Sequence, residues 1–383
     1  MLTNSIHFKN FRIIKVSKKI KKDLIRLLKE KNEIINSLKI SYKNSYDQKS
    51  IKQLKKNLNF RIIGMGGSIL GAESIFNFLN YKIKKKFEFI KDLASNQKLT
   101  KKKYSNLIIS KSGNTLETII NSNILIKKTD TNLFLTENKK SYLLSLAKKL
   151  QSEIIHHNNF IGGRYSVLSE VGMLPAELMG LNIKKFKQLN NIVKNKKFLD
   201  QLTSNVTNTL YLIKKKKFNS IILNYDKDSD SLFKWYQQLI AESLGKKGNG
   251  ILPIISDMPK DNHSVMQHYL DGTKNNFFTF FYVKDKNSNK INNNKILPSH
   301  YYLKNKDISQ IIYAQKRATE KIFLKKNIPF RSFEVMNRDE KALGELFGFF
   351  ILETILLGRA LNINPYDQPS VELIKKETKI ILN

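Results

Sequence analysis

Two junctions concentrate groups able to hold an anion. The first, Gly64-Met65-Gly66-Gly67-Ser68, follows a short apolar run, Phe60 to Ile63, and leads into apolar residues at helical spacing, Leu70 to Leu79. Strand, glycine turn and helix in that order place backbone N–H groups at the positive end of a helix, where anions bind. A tight turn without a ligand has the same pattern. Position 69 is Ile, so the three-glycine dinucleotide fingerprint fails; no Gly-Lys-Ser/Thr follows, and Leu70 breaks the nucleophile-elbow pattern around Ser68. The second junction, Ser110-Lys111-Ser112-Gly113-Asn114-Thr115, lies between the apolar run Leu107 to Ile109 and a helical stretch to Ile126. Its hydroxyls donate to phosphate oxygens and its ammonium offsets their charge, which suits a phosphate monoester. Asn114 or Thr115 acting as a helix cap is the ordinary alternative. Two such loops in one domain suggest a sugar-phosphate pocket.

Four later segments are dense in polar groups. Gly162-Gly163-Arg164-Tyr165-Ser166 places an arginine after two glycines in a chain that otherwise prefers lysine. A planar, permanently charged donor suits an enediolate or phosphate oxygen, though a surface salt bridge also explains one Arg. Gln238 and Glu242 share a helix face just before Gly245-Lys246. A carboxylate is the usual base for removing a proton beside a carbonyl, and a helix-end Glu near Lys is commonly an exposed ion pair. Asp261-Asn262-His263-Ser264 holds one of six histidines, able to exchange protons near neutral pH; a helix start capped by Asp261 is the alternative. In Gln368-Pro369-Ser370-Val371-Glu372-Leu373-Ile374-Lys375, Glu372 and Lys375 stand at i, i+3, as a structural salt bridge would.

The elements that must position these groups alternate. After an amphipathic helical arm (Val16 to Leu38), the first half adds a strand at Asn132 to Leu135 to the two junction strands. The chain turns polar at 194–197. Strands are then expected at 220–223, 251–255 and 277–283, and helices at 199–213, 232–244, 308–323 and 343–361. Such alternation means α/β with mainly parallel sheets, in two similar tandem domains. The segment 284–295, rich in Lys and Asn without periodicity, reads as an exposed loop.

Composition narrows the function. The 383 residues include no cysteine, which excludes disulfides, Cys-ligated zinc, iron–sulfur clusters and a thiol nucleophile. Net charge is +36, but only eight of the 68 basic residues are arginine, the residue favoured for base readout, and aromatic–basic interleaving is missing. The charge reads as solvated surface, with no nucleic-acid partner. No signal-peptide core opens the sequence, and Leu346 to Leu357 is too short to span a membrane, so a soluble cytoplasmic protein with no membrane partner is expected.

In this order, the segments resemble the phosphoglucose isomerase family from Gly64 to the C-terminus, as a short bacterial-type member. The matches are Gly64-Met65-Gly66-Gly67-Ser68; Ser110-Lys111-Ser112 with Thr115 and Glu117-Thr118; Gly162 to Ser169; Glu242 to Lys246; Asp261-Asn262-His263-Ser264 with Gln267; and Asn364 to Glu372 leading to Lys375. The resemblance implies two tandem sugar-isomerase (SIS) domains in a homodimer whose active sites are shared between subunits. The expected layout is an N-terminal helical arm (1–57), a first SIS domain (58–197), a second (198–365) and a C-terminal helix (366–383) that completes the site. It also implies glucose 6-phosphate and fructose 6-phosphate as substrates, interconverted through a cis-enediolate, with no metal or redox cofactor. Gly67, Ser68, Ser110, Lys111, Ser112 and Thr115 would take the phosphate, with Gln238 and Gln368 near the sugar. His263 would open the ring with Lys375 assisting, Glu242 would carry the proton between C2 and C1, and Arg164 would stabilise the enediolate. The family's glycine after Gln-Pro is Ser370 here, and Asn114 stands where threonine is common. The alternatives are an isomerase that also takes mannose 6-phosphate and a non-catalytic sugar-phosphate sensor.

Overall fold

The computed structural model describes residues 2–11, 13–14, 16–94, 102–285 and 287–383. Ten strands form two five-stranded sheets: β1 (Ile6–Lys9), β2 (Asn59–Gly64), β3 (Lys86–Ile90), β4 (Ser105–Ile109), β5 (Thr131–Thr136), β6 (Glu153–His156), β7 (Asn219–Asn224), β8 (Leu252–Asp257), β9 (Asn276–Val283) and β10 (Phe330–Val335). The first sheet runs β3-β2-β4-β5-β6, all parallel; the second runs β1-β10-β9-β7-β8, with only β1 antiparallel. This is the tandem SIS-type α/β architecture. Its central strands are buried on both faces, as parallel strands covered by helices must be, and so consist of near-continuous apolar residues.

Each strand order contains a switch point. From β2 the chain moves outward to β3 and then returns past β2 to β4, so the loops after β2 and β4 part and leave a crevice at the carboxyl ends of the strands. Gly64 pairs with Ile109, which sets the first two junctions of the sequence side by side there. The second sheet repeats this between β7 and β9, but Asp226, just after β7, accepts from the Ser229 hydroxyl and from Arg338, so an internal ion pair occupies that position.

The halves meet through helices. Helix Asp230–Leu244, which follows β7, packs on Leu70–Phe78, which follows β2, and Ser231 accepts at its carbonyl from Ser74 Oγ (2.8 Å) and at its hydroxyl from Asn77 (2.7 Å). A single apolar cluster runs from Ile6 through Trp235 to Leu357. Within it, Arg331 and Glu353, each 1% exposed, form an ion pair, with Asn205, Thr279 and Tyr236 taking the remaining polar atoms. Tyr236 ties this network to the helix that carries Gln238 and Glu242.

Differences from the sequence expectation have local causes. The helix expected over 16–38 is broken into Lys18–Lys29 and Glu33–Ser37, because Asn32 caps the second through Oδ1 (2.9 Å to Ile34 N) and Arg359 draws off Glu30. The arm also contributes β1, outside its reading as helix. The 284–295 segment is mostly exposed, with one turn at Asn293–Lys295; Lys286 lies outside the described residues.

Removing one partner of the buried Arg331–Glu353 pair leaves an uncompensated charge. Glu353→Ala is therefore expected to lower stability by about 3–5 kcal/mol, measured by urea unfolding; a loss under about 1 kcal/mol would show that the pair is not a keystone.

Candidate active site

Glycine spacing brings the two first-half loops into backbone contact. A Cβ on Gly67 would lie 2.2 Å from the carbonyl carbon of Gly163 and 2.4 Å from its oxygen, so only glycine fits there. Gly66 has φ +53°, and a Cβ there would press on Gln238 Nε2 at 2.8 Å. The turn Gly163–Leu168 thus seats on the first glycine loop, while Ser166 Oγ donates to Gly163 O (2.7 Å).

Arg164 is 3% exposed, not a surface ion pair. All five of its N–H groups are used. Nε donates to Ser243 Oγ (2.7 Å), Nη1 to Glu242 Oε2 (3.2 Å) and Gln368 Oε1 (2.6 Å), and Nη2 to the carbonyls of Pro365 (2.8 Å) and Asp367 (3.0 Å). Trp235 Nε1 fixes its carbonyl at 3.1 Å. Beneath the turn, Lys187 donates to the carbonyls of Ser37 and Leu168, and burial pulls its ammonium down to about 7. Glu242, partly exposed, receives Gln238 Nε2 on its other oxygen at 2.9 Å. Gln238 Oε1 is buried and, among the described residues, without a hydrogen-bond partner. The nearby Lys246 does not pair with Glu242; it latches Asp367 (2.6 Å) and the Asn364 carbonyl (2.5 Å), holding the same segment that Arg164 grips and keeping the Asp367 carboxyl below its usual range.

At the second junction, Thr115 occupies the cap position of helix Leu116–Leu125 but makes no capping hydrogen bond; its Oγ1 meets Ser110 Oγ at 2.8 Å. Two hydroxyls therefore face one another beside a helix start whose N–H groups are not capped by that side chain, an arrangement suited to an anion. Gly113 has φ +64° and packs against Ser141. Ser112 Oγ accepts from Asn114 N (3.3 Å), and Asn114 Oδ1 accepts from Tyr142 N (2.9 Å), which turns Asn114 toward the neighbouring helix. Lys111 reaches Asn159 O (2.9 Å) and Glu137 Oε1 (3.3 Å). Ser68 lies on the 3-10 turn Gly66–Ser68, next to Gly64.

The expected site residues thus divide. Gly67, Arg164, Gln238, Glu242 and Gln368 meet, and Ser68, Ser110, Lys111, Ser112 and Thr115 line the adjoining loops. His263 is exposed at the end of the turn Lys260–His263, and Lys375 is exposed on helix Pro369–Leu382, paired with Glu372 at 2.6 Å. Among the described residues, no hydrogen bond or ion pair joins either of them to Arg164 or Glu242. Ser370 sits inside that helix with no positive φ, so serine meets no backbone strain there. Sequence reasoning missed Ser243, Trp235 and Glu137. The first two lie on the Gln238–Glu242 helix and could have been found by asking what satisfies a buried Arg.

Comparison with known proteins settles the family, since the model for "Phosphoglucose isomerase" matches residues 14–383. The chain belongs to the phosphoglucose isomerase family. Among this family's members it is 34% identical to a glucose-6-phosphate isomerase of Mycoplasmopsis pulmonis (84% of this chain, 82% of that one) and 32% identical to that of Methanocaldococcus jannaschii (90% and 89%). Among solved structures, a hypothetical protein of Thermus thermophilus superposes with a TM-score of 0.81 at 21% identity (95% and 94% covered). A glucose-6-phosphate isomerase of Chlamydia trachomatis gives 0.71 at 16% (99% and 89%). In this member of the family, a buried arginine and a carboxylate held at two points lie close together beside the Gly66–Gly67 turn.

Gly67→Ala must push the Gly163 backbone and with it Arg164. Misplacement of a reacting group by about 1 Å costs on the order of 100-fold, so isomerase kcat/KM is expected to fall at least about tenfold. A wild-type value in a steady-state assay would show that this contact does not set the Arg164 geometry.

Proposed function

We propose that the chain interconverts glucose 6-phosphate and fructose 6-phosphate by proton transfer through a cis-enediolate, the step of glycolysis and gluconeogenesis. The observation that carries the residue roles is the pairing of Arg164 with Glu242 at the crevice that also presents Ser110 and Thr115. Aldose–ketose isomerisation needs a base that moves one proton between adjacent carbons and a fixed positive group beside the developing oxyanion. Glu242 is the base in this reading. Its carboxylate is held in one rotamer by Gln238 and Arg164, and it is exposed enough to meet a substrate carbon. Arg164, immobilised by buried acceptors, is the cation; Gln368, its exposed side-chain acceptor, is the partner a substrate oxygen displaces. The phosphate lies on Ser110, Thr115 and the helix start, with Ser68, Ser112, Lys111 and Gly67 at the rim.

His263 opens the sugar ring and Lys375 assists at the ring oxygen. Both are exposed and stand apart from Glu242 within one chain, which fits a homodimer in which a second copy completes the site. Helix Pro369–Leu382, with no buried residue and with Leu373, Ile374, Ile380 and Ile381 exposed, has an apolar surface left for such packing. Among the described residues, no helix is long and apolar enough to cross a membrane, in keeping with a cytoplasmic enzyme.

The test is one-dimensional proton NMR of the protein with fructose 6-phosphate in deuterated water. Glucose 6-phosphate with partial deuterium at C2 is expected; substrate that binds without turning over would favour the sensor. Glu242→Gln should lower kcat by about 10²–10⁴-fold and leave inhibition by inorganic phosphate unchanged, because the lost group acts on the proton. Equal losses of binding and rate would refute this role for Glu242.

A further inference from the structure

Beside the proposed phosphate loop lies a carboxylate that a dianion site does not need. Glu137 follows β5 directly, at the carboxyl edge beside the Ser110–Asn114 turn, and its backbone N–H donates to Lys111 O (3.1 Å). Its side chain is only 10% exposed and lies between two ammonium groups, Lys111 Nζ at 3.3 Å and Lys139 Nζ at 3.4 Å. Lys111 spends a further N–H on the carbonyl of Asn159, in the segment leading to Gly162-Gly163-Arg164. Lys111, the ammonium of the Ser110–Thr115 loop, is thus already paired with a carboxylate and tied down by the protein itself.

The geometry points to Glu137 as the residue that sets the affinity of the phosphate site: an internal anion that claims Lys111 and must give it up to an incoming phosphate. This rests on the reading of the Ser110–Thr115 loop as the phosphate site. One consequence follows from the pairing alone. Binding costs the separation of Lys111 from a mostly buried carboxylate, so affinity is held below what the loop and a free lysine would give. A sugar phosphate, anchored also at the Arg164–Glu242 end, meets that cost with contacts that inorganic phosphate lacks. The arrangement holds small anions off and favours release of the product sugar phosphate.

The experiment measures inorganic phosphate binding by calorimetry at fixed physiological ionic strength, which levels the contribution of the strongly basic surface. The proteins are the wild type, Glu137→Gln, Glu137→Ser, Lys111→Met and the double variant Glu137→Gln/Lys111→Met, with melting curves to confirm folding. Both Glu137 variants are expected to bind phosphate at least about fivefold more tightly. KM for fructose 6-phosphate should fall in parallel and kcat change far less, a split that a purely structural role would not produce. With Lys111→Met in place, loss of the Glu137 charge should change the phosphate Kd by less than about twofold. An unchanged or weaker Kd in folded Glu137→Gln overturns the proposal, as does an equal gain in the Lys111→Met background, which would mean simple repulsion. Ser110→Ala separates the two levels. If it weakens phosphate while the Glu137 and Lys111 variants do not, the site stands and Glu137 has no such role; if Ser110→Ala also has no effect, the phosphate site itself is misassigned.

Discussion

Burying a guanidinium is tolerable only when every donor finds an acceptor and the charge finds a counterion. Arg164 meets both conditions by drawing on three parts of the chain at once. Its own turn lies in the first half, Ser243 and Glu242 come from a helix of the second, and Pro365, Asp367 and Gln368 come from the segment before the last helix. Satisfying one side chain therefore fixes the mutual placement of both halves and the C-terminal segment. The Gly67–Gly163 contact lets the turn come close enough for this, and Lys246 pins the far end of the same segment. The geometry around Arg164 and the packing of the two halves are one constraint.

The two sheets use the same strand order to different ends. At the first crevice, Ser110 and Thr115 face each other beside a helix start that the Thr115 side chain does not cap. At the second, Asp226 supplies an anion from within, held by Arg338 and Ser229. A repeated architecture thus carries an open pair of hydroxyls at one crevice and an internal clamp at the other, through the choice of a few side chains at the strand ends.

The central strands were readable in the sequence because burial on both faces forces apolar runs: β2, β4, β5, β7 and β9 all overlap the expected segments, and so does the edge strand β8, expected at 251–255. The edges β1, β3 and β6 were not readable, since they are short and alternate with charged or polar residues. β10 hides for a different reason. Arg331, Ser332 and Glu334 interrupt its apolar pattern, and they are accommodated by partners distant in sequence, Glu353 and Lys316, that no local period announces. The same distinction holds at the site. Motif order singled out Arg164, Glu242 and Gln238, whereas the Lys111–Glu137 pair joins the ends of neighbouring strands and is visible only once the sheet register is known.

One edge strand ties the molecule together in a way that its tandem layout conceals. β1 belongs by position to the N-terminal arm, yet it pairs antiparallel with β10, Ile6 against Val335, in the far sheet. That pairing closes a loop over most of the chain, a contact of very high sequence separation and therefore slow to form. During folding, the outer edge of the second sheet stays open until the arm arrives, an unpaired template of the kind that invites association with other chains. The first half, for its part, cannot be cut away as a free module without stripping a strand from the second. The two halves are a tandem repeat in pattern but a single unit in assembly, closed by a four-residue strand borrowed from the opposite end of the chain.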